Sequence, residues 1–260
     1  TPLFGKNIIC LDDVSLKNIK EKSKKQNFLT YGFNPKANFI PTNIQFRDMK
    51  IHFDLKVNLE KKTIIKNIVL NLMGRHNVLN ATAAIVVALT LEISVKKIKK
   101  TLESFLGVQR RLTKVFESKN RIIFDDYAHH PTEIVAVLDA CRNNFGDKKI
   151  ISIFQPHRFS RVVSLYKEFT ACFLKSDLVI LCPVYSAGEK EIKFDLENFA
   201  KKISKNSRTE TVIVKNEENL NIFLNKNFTN NEIVIAMGAG TISQWIRSIS
   251  KNLTNDKIKQ

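Results

Sequence analysis

No run of the 260-residue chain approaches the roughly 20 successive apolar residues that a bilayer-spanning helix needs. The longest apolar stretch is AAIVVALTL at 83–91, and no basic-then-apolar leader opens the chain. A soluble, cytoplasmic protein is therefore expected. Cysteine is scarce and unpatterned: Cys10, Cys141, Cys172 and Cys182 show no C-x-x-C spacing and sit in apolar runs. That disfavours zinc sites and a disulfide framework and predicts reduced, buried thiols, with no metal ligands among them. Acidic residues are outnumbered 25 to 42 by Lys and Arg, leaving a formal charge of +17. A nucleic-acid partner is nevertheless disfavoured, because the lysines are spread through SLKNIKEKSKK, ISVKKIKK and ENFAKKISK without an aromatic-rich basic stripe. Lysine bias on solvated faces accounts for the charge, and such a surface would also attract a polyanionic small molecule. An initiator methionine is missing as well, so the chain is expected to be a piece of a longer protein.

What is present has the composition of a globular protein, with 43% hydrophobic and 26% charged residues, enough for one large or two ordinary domains. The first seventy residues read as strands and turns. IHFDLKV alternates, placing Ile51, Phe53, Leu55 and Val57 on one face, and pairs with ANFIPTNIQF through the turn RDMK. TIIKNIVLNL is a further strand, with helices expected from Val78 to Leu91 and from Ser94 to Phe105, the second stopped at Gly107. From Val108 onward one unit repeats: a short β-rich run, a motif-bearing loop, an amphipathic helix. The strand candidates are RIIF, KKIISIF, DLVILC, TVIV and EIVIAM, with helices starting near Pro131, Val162, Asp195, Glu217 and Thr241. The expected fold class is α/β, with boundaries at 1–107 and 108–260 and a mostly parallel, doubly wound sheet in the second part. In such a sheet ligands gather at the C-terminal strand edge.

The loops after strands (DDYAHHP, QPHRFSR, PVYSAGEK, GAGT) are rich in His, Arg, Tyr and Gly, whereas the loops after helices are ordinary polar turns. In DDYAHHPTEI, Pro131 suits a first helical position and Glu133 the positive helix end. A plain strand-to-helix turn does not explain Asp125, Asp126, Tyr127, His129 and His130 together; a metal cluster, acid/base chemistry and nucleotide contacts all remain open. FQPHRFSR sets His157, Arg158 and Arg161 after a buried strand, and a planar guanidinium suits phosphate or carboxylate. In GRHNVLNATAA, Asn77 and Asn80 share a helix face and could read an adenine edge, or one of them could cap the helix. Arg110 and Arg111 follow Gly107 as a cationic pair. The GAGT turn is weak evidence for a dinucleotide, since the full G-x-G-x-x-G is missing. His52 is read as an exposed strand residue.

Taken in order, GRHNVLNATAA, FLGVQRRL, DDYAHHPTEI, FQPHRFSR, PVYSAGE and MGAGTI resemble the C-terminal part of a Mur ligase, and PLFGKNIICLDD and TYGF resemble that family's central domain. The resemblance covers nearly all of the chain. It implies that residues 1–107 are the C-terminal part of the central ATP-binding domain and 108–260 the Rossmann-like C-terminal domain. It further implies peptidoglycan precursor synthesis, in which L-alanine is joined to UDP-N-acetylmuramate at the cost of ATP, with Mg2+, through an acyl phosphate. Carried over residue by residue, it puts His76, Asn77 and Asn80 at the ATP, with the asparagines near adenine. Arg111 falls at its phosphates, and Asp126, with Tyr127 beside it, near the ribose. His129 would lie at the reacting centre, and His157, Arg158 and Arg161 would hold the UDP-sugar and the amino acid. His129 and Arg111 are thus the catalytic candidates.

Two features depart from the family pattern. No G-x-x-G-K-[ST] phosphate loop occurs, FGKN at 4–7 not being one, and the family's magnesium-binding glutamate has no match. The isolated chain is accordingly expected to be inactive. The alternatives are a non-catalytic nucleotide- or anion-binding module and a metal-dependent phosphoesterase built on Asp125, Asp126, His129 and His130. The second is disfavoured because the other strand ends supply mainly cations. In the ligase reading Asp125 is left without a role.

Overall fold

The computed structural model describes residues 5–16, 18, 27–118, 121–227 and 231–258, the side chains of 255–258 excepted. Phe4 of the FGKN run and most of SLKNIKEKSKK lie outside the described residues. The chain divides into two compact units, Thr1–Gly107 and Val108–Gln260.

The first unit is built on a five-stranded sheet in the order β1(Asn7–Cys10), β2(Phe28–Tyr31), β3(Phe39–Arg47), β4(Lys50–Val57), β5(Thr63–Leu70). β1, β2 and β3 run parallel, and β3, β4 and β5 form an antiparallel meander. Alternation works as a strand pleat requires: Ile51, Phe53, Leu55 and Val57 are all buried, while His52 between them is half-buried rather than exposed. In the RDMK turn Asp48 and Met49 both take positive φ, 53° and 58°, the twist that a two-residue hairpin demands. Helix α1(Arg75–Thr90) covers the sheet with Val78, Ala81, Thr82, Ile85 and Val86, one stripe of a 3.6-residue repeat. It begins three residues before the expected Val78, so that His76 and Asn77 are inside its first turn. Helix α2(Val95–Ser104) starts on the Ser94 hydroxyl, which accepts from the Lys97 N–H at 3.4 Å. Gly107 is not its stop: the helix ends at an extended Phe105, and Gly107 (φ +84°) is required where a Cβ would fall 2.7 Å from the Leu72 side chain. A cavity of about 590 Å³ in this unit is lined mostly by apolar groups such as Phe39, Val57, Ile65 and Leu89. None of the candidate site residues lines it.

The second unit holds a six-stranded sheet in the order β10-β9-β8-β11-β7-β6. Its strands are β6(Thr113–Ser118), β7(Arg121–Asp126), β8(Lys149–Phe154), β9(Leu178–Leu181), β10(Glu210–Ile213) and β11(Glu232–Met237). β7 to β11 are mutually parallel, and β6 is an antiparallel edge strand that the hydrophobic pattern did not announce. The central strands β8, β9 and β11 are buried on both faces, which explains their unbroken Ile, Val and Leu runs. Around them pack α3(Pro131–Phe145), α4(Phe159–Ser164), α5(Tyr166–Ala171), α6(Leu196–Ser207), α7(Glu217–Asn227) and α8(Ile242–Ile258). The single helix expected near Val162 is two short ones, broken at Leu165. Cys141, Cys172 and Cys182 are buried and Cys10 is half-buried, all as free thiols; burial pushes the first two upward in pKa and Cys182 up to about 12. The fold class is thus α/β with a Rossmann-like second unit.

Candidate active site

Parallel strands place the ends of β7, β8, β9 and β11 on one edge, and the backbone stitches the loops together there. Gln155 N–H donates to Met237 O at 3.0 Å, Gly238 N–H to Asp126 O at 3.2 Å, and Arg158 N–H to Tyr185 O at 2.8 Å. The glycines of GAGT serve this closeness. A Cβ on Gly238 would stand 2.8 Å from the Gln155 carbonyl oxygen, and one on Gly240 2.5 Å from Gln155 Oε1 and 2.6 Å from Tyr185 Cγ. The turn therefore needs glycine for strand-loop packing, whatever it binds.

DDYAHHP separates into distinct roles. Both aspartates belong to β7 rather than to the loop. Asp125 is fully buried and points to α8, accepting from Ser243 Oγ at 2.7 Å and Arg247 Nε at 2.9 Å. Sequence reasoning left it without a function; its partners lie 118 and 122 residues away, beyond any local pattern. Asp126 is also buried, and its two oxygens accept the N–H groups of Leu112 and Ala128, each at 2.7 Å. Burial raises its pKa to about 6, against the opposing pull of those two N–H donors and of Arg111. His130 is the N-cap of α3: its Nδ1 accepts from the Thr132 N–H at 3.3 Å, while Glu133 accepts from the His129 and His130 N–H groups at 3.0 and 3.2 Å. For Glu133 burial acts upward, but those N–H donors, His129 and Arg111 together hold the carboxyl below its ordinary range.

His129 is not part of the cap, although its Nδ1 lies 3.5 Å from Glu133 Oε2. Its Nδ1 faces the Tyr127 carbonyl at 2.8 Å, and a carbonyl can only accept, so Nδ1 carries a proton and the neutral ring has its lone pair on Nε2. His157 has the opposite arrangement. Arg161 Nη1 donates to His157 Nδ1 at 3.1 Å, which leaves the proton of the neutral ring on Nε2. Burial, then Arg161, His129 and Arg158, depress its pKa and keep it neutral. The two imidazoles lie 5.8 Å apart between centroids, and His157 in turn stacks on Tyr185 at 5.6 Å. A lone-pair acceptor and an N–H donor thus sit side by side, with two guanidiniums nearby. Arg158 is exposed, is in no described ion pair, and takes φ +68° at the head of α4. Glu189 fixes the adjoining loop by accepting from Ser160 Oγ and N–H at 2.5 and 3.1 Å, hydrogen bonds that lower its pKa.

The arginine pair also divides. Arg111 is exposed, 3.8 Å from Glu133. Arg110 turns inward, with its guanidinium 4.5 Å over the Tyr127 ring and Nη2 donating to Gly238 O at 2.5 Å.

In the first unit, Asn77 and Asn80 are adjacent on α1. Asn77 Nδ2 donates to Met73 O at 2.7 Å, and Asn80 Nδ2 to Asn77 Oδ1 at 3.1 Å. Neither caps the helix, since the N-cap is Gly74 with φ 95°. Those contacts leave Asn80 with its Oδ1 and a second N–H for a ligand. His76 is half-buried next to them. The structure therefore gathers Tyr127, His129, His157, Arg158 and Arg161 on one sheet edge, and places His76, Asn77 and Asn80 together in the other unit. Among the described residues no group of three or more His, Cys, Asp or Glu could hold a metal ion by protein ligands alone; a nucleotide-bound Mg2+ takes only one or two carboxylates beside the phosphates.

The model of the "Mur ligase, glutamate ligase domain" matches residues 110–240, and that of the "Mur ligase middle domain" matches 3–88. The UDP-N-acetylmuramate–L-alanine ligase of Pelagibacter ubique is 46% identical over 95% of this chain and 54% of its own length. A crystal structure of UDP-N-acetylmuramate-alanine ligase from Thermotoga maritima superposes with a TM-score of 0.74 at 25% identity, covering 90% of this chain and 49% of that one. A MurF ligase of Thermotoga maritima, solved in complex with ADP, shares the fold, with a TM-score of 0.71 at 18% identity over 98% of this chain and 55% of that one. The chain spans about half the length of the curated relatives it matches. With a sheet edge of this composition and family models matching in both units, the chain belongs to the Mur ligase family.

Proposed function

We propose that this chain is part of an ATP-dependent ligase that joins L-alanine to UDP-N-acetylmuramate. The observation that carries the proposal is the placement of His129 and His157, with ring centroids 5.8 Å apart, beside Arg158 and Arg161 on one sheet edge. Amide formation from a carboxylate needs three things from a protein. The carboxylate of the incoming amino acid must be held, its ammonium must lose a proton, and charge on the attacked carbonyl must be stabilised. Arg158 and Arg161 suit the first task, since a planar fork matches a carboxylate. The Nε2 lone pair of His129 can take the ammonium proton, and the Nε2–H of His157 can donate to developing negative charge. ATP supplies the phosphoryl group that makes the acceptor carboxylate attackable, as an acyl phosphate.

Asn77 and Asn80 suit an adenine edge, with His76 beside them. Arg111 suits the phosphates, and Asp126 with Tyr127 the ribose. Asp126 has only the second lone pair of each oxygen to offer, because the first is spent on Leu112 and Ala128. No step is assigned to Mg2+. Because the 260 residues contain no G-x-x-G-K-[ST] loop to cradle phosphates, the chain alone is proposed to be inactive. Activity would need the remaining half of the relatives' length.

The test is Arg158→Lys in a protein of the relatives' full length that carries this chain. Charge is kept and the fork is lost, so kcat/KM for alanine or the UDP-sugar should fall by the equivalent of about 1.5 to 3 kcal/mol, with melting unchanged. Unchanged values for both substrates would remove Arg158 from the site, and alanine-dependent phosphate release by the 260-residue chain alone would overturn its proposed inactivity.

A further inference from the structure

Asp125 and Arg110 take no part in the chemistry assigned above, yet they hold the most heavily buried charge on the catalytic edge. Asp125 has no exposed surface. Its Oδ2 is engaged by Ser243 and Arg247, and its Oδ1 makes no hydrogen bond but faces Arg110 Nε at 4.0 Å. Arg110 is three-quarters buried. Its Nη2 donates to Gly238 O, its Nε has no hydrogen-bond partner and feels the Asp125 charge only across 4.0 Å, and its other side lies over the Tyr127 ring at 4.5 Å. Its carbonyl accepts the Tyr127 N–H at 2.7 Å, so Arg110 grips that residue by backbone and ring together.

We infer that Arg110, braced by Asp125, is a positioning residue that sets the Tyr127 ring and, through it, His129. Tyr127 is 37% exposed, so core packing does not fix its ring. Beyond it, His129 meets Tyr127 edge-on at 5.1 Å and 80° and uses the Tyr127 carbonyl to hold its Nδ1 proton. A shift of Tyr127 would disturb both contacts and with them the direction of the Nε2 lone pair. An amine must approach that lone pair within about 3 Å for proton transfer. The row continues through His157 to Tyr185, which is backed by Gly240, so the ring contacts run unbroken from a buried carboxylate to a glycine. A guanidinium can donate to a carbonyl and lie flat on a ring while its charge faces a carboxylate, because it is planar and has five N–H donors; an ammonium cannot.

The kinetic part of this inference rests on the ligase reading, whereas the geometric part does not, and the experiment separates them. Imidazole proton shifts of His129 are recorded by NMR in the 260-residue chain for the wild type, Arg110→Lys, Arg110→Met and Tyr127→Leu, the last giving the value without the ring. Arg110→Met should move the His129 signals toward the Tyr127→Leu value, and Arg110→Lys should fall between. In a ligase of full length, Arg110→Met should lower kcat about tenfold while KM for ATP stays unchanged, the loss of a partly desolvated cation–π contact. His129 signals that stay at wild-type positions in Arg110→Met would overturn the proposal, even if activity fell. Should Arg110→Met fail to fold, Arg110→Lys decides, and a wild-type His129 signal in that variant overturns it equally. A wild-type ligase of full length without alanine-dependent phosphate release would refute the ligase reading and leave the NMR result standing.

Discussion

Arg161 Nη1 donates to His157 Nδ1 at 3.1 Å, and this contact decides which nitrogen of the imidazole holds the proton. Burial and Arg161 both lower the pKa of His157. Arg161→Met should therefore raise it toward the ordinary histidine value of about 6.5 without restoring it fully, since burial remains. Because the folded ring resists protonation, the unfolded chain binds more protons in this range, and stability is lost as pH falls from about 6.5 through the depressed pKa. An imidazole NMR titration in wild type and Arg161→Met checks both; a His157 pKa that stays put or falls in the variant refutes the assignment.

Asp126 titrates in the opposite sense. Burial lifts its carboxyl to about 6, so the folded state binds more protons than the unfolded one between about pH 4 and 6. Its contribution is present at low pH and is lost as pH rises through about 6. A carbon-13 carboxyl titration should place its midpoint near 6. A midpoint below about 4 would mean that the Leu112 and Ala128 N–H groups outweigh desolvation.

Removing one partner of a buried ion pair strands the others. Asp125→Asn would leave Arg110 and Arg247 without the carboxylate they share, and a destabilisation of about 3 kcal/mol is expected in urea unfolding. The half-exposed pair of Asp139 and Lys175 is the control, where Asp139→Asn should cost no more than about 1 kcal/mol. Equal effects in the two variants would deny Asp125 its bracing role.

Gly240→Ala tests the close approach of the loops. The added methyl would stand 2.6 Å from Tyr185 Cγ and 2.5 Å from Gln155 Oε1, so the tyrosine must move off His157. A loss of about 1 to 3 kcal/mol in stability is expected from such overpacking, with a changed His157 imidazole shift. An unshifted His157 signal would show that Tyr185 gives way without disturbing the row.

Much of this was legible in the residues themselves. Runs such as EIVIAM are strands buried on both faces, and their composition says so; Ile51, Phe53, Leu55 and Val57 declare a pleat by period two. The gathering of DDYAHHP and QPHRFSR on one edge followed from parallel topology alone. Less visible was anything set by distant partners. The bond from Asp125 to Arg247 spans 122 residues, and only the fold reveals that one arginine of the pair 110–111 turns inward. β6 escaped because TKVFES is a short edge strand whose period of two is broken by a register shift between Lys114 and Phe116, with Phe116 its one buried residue. The division between His129 and His130 needed the cap geometry of α3, which sequence could suggest through Pro131 and Glu133 but not assign.

β11, the last strand among the described residues, lies between β7 and β8 and pairs with both along six residue pairs each. Until residues 232–237 have left the ribosome, β7 and β8 have no partner between them, and the loops bearing His129 and His157 have no common edge. The site is therefore assembled by insertion of a strand into a gap held open by its neighbours, a non-local and slow event in folding. During synthesis the two histidines should share an edge only after β11 has joined the sheet, and a nascent chain ending before Glu232 would present two unpaired strand edges to chaperones.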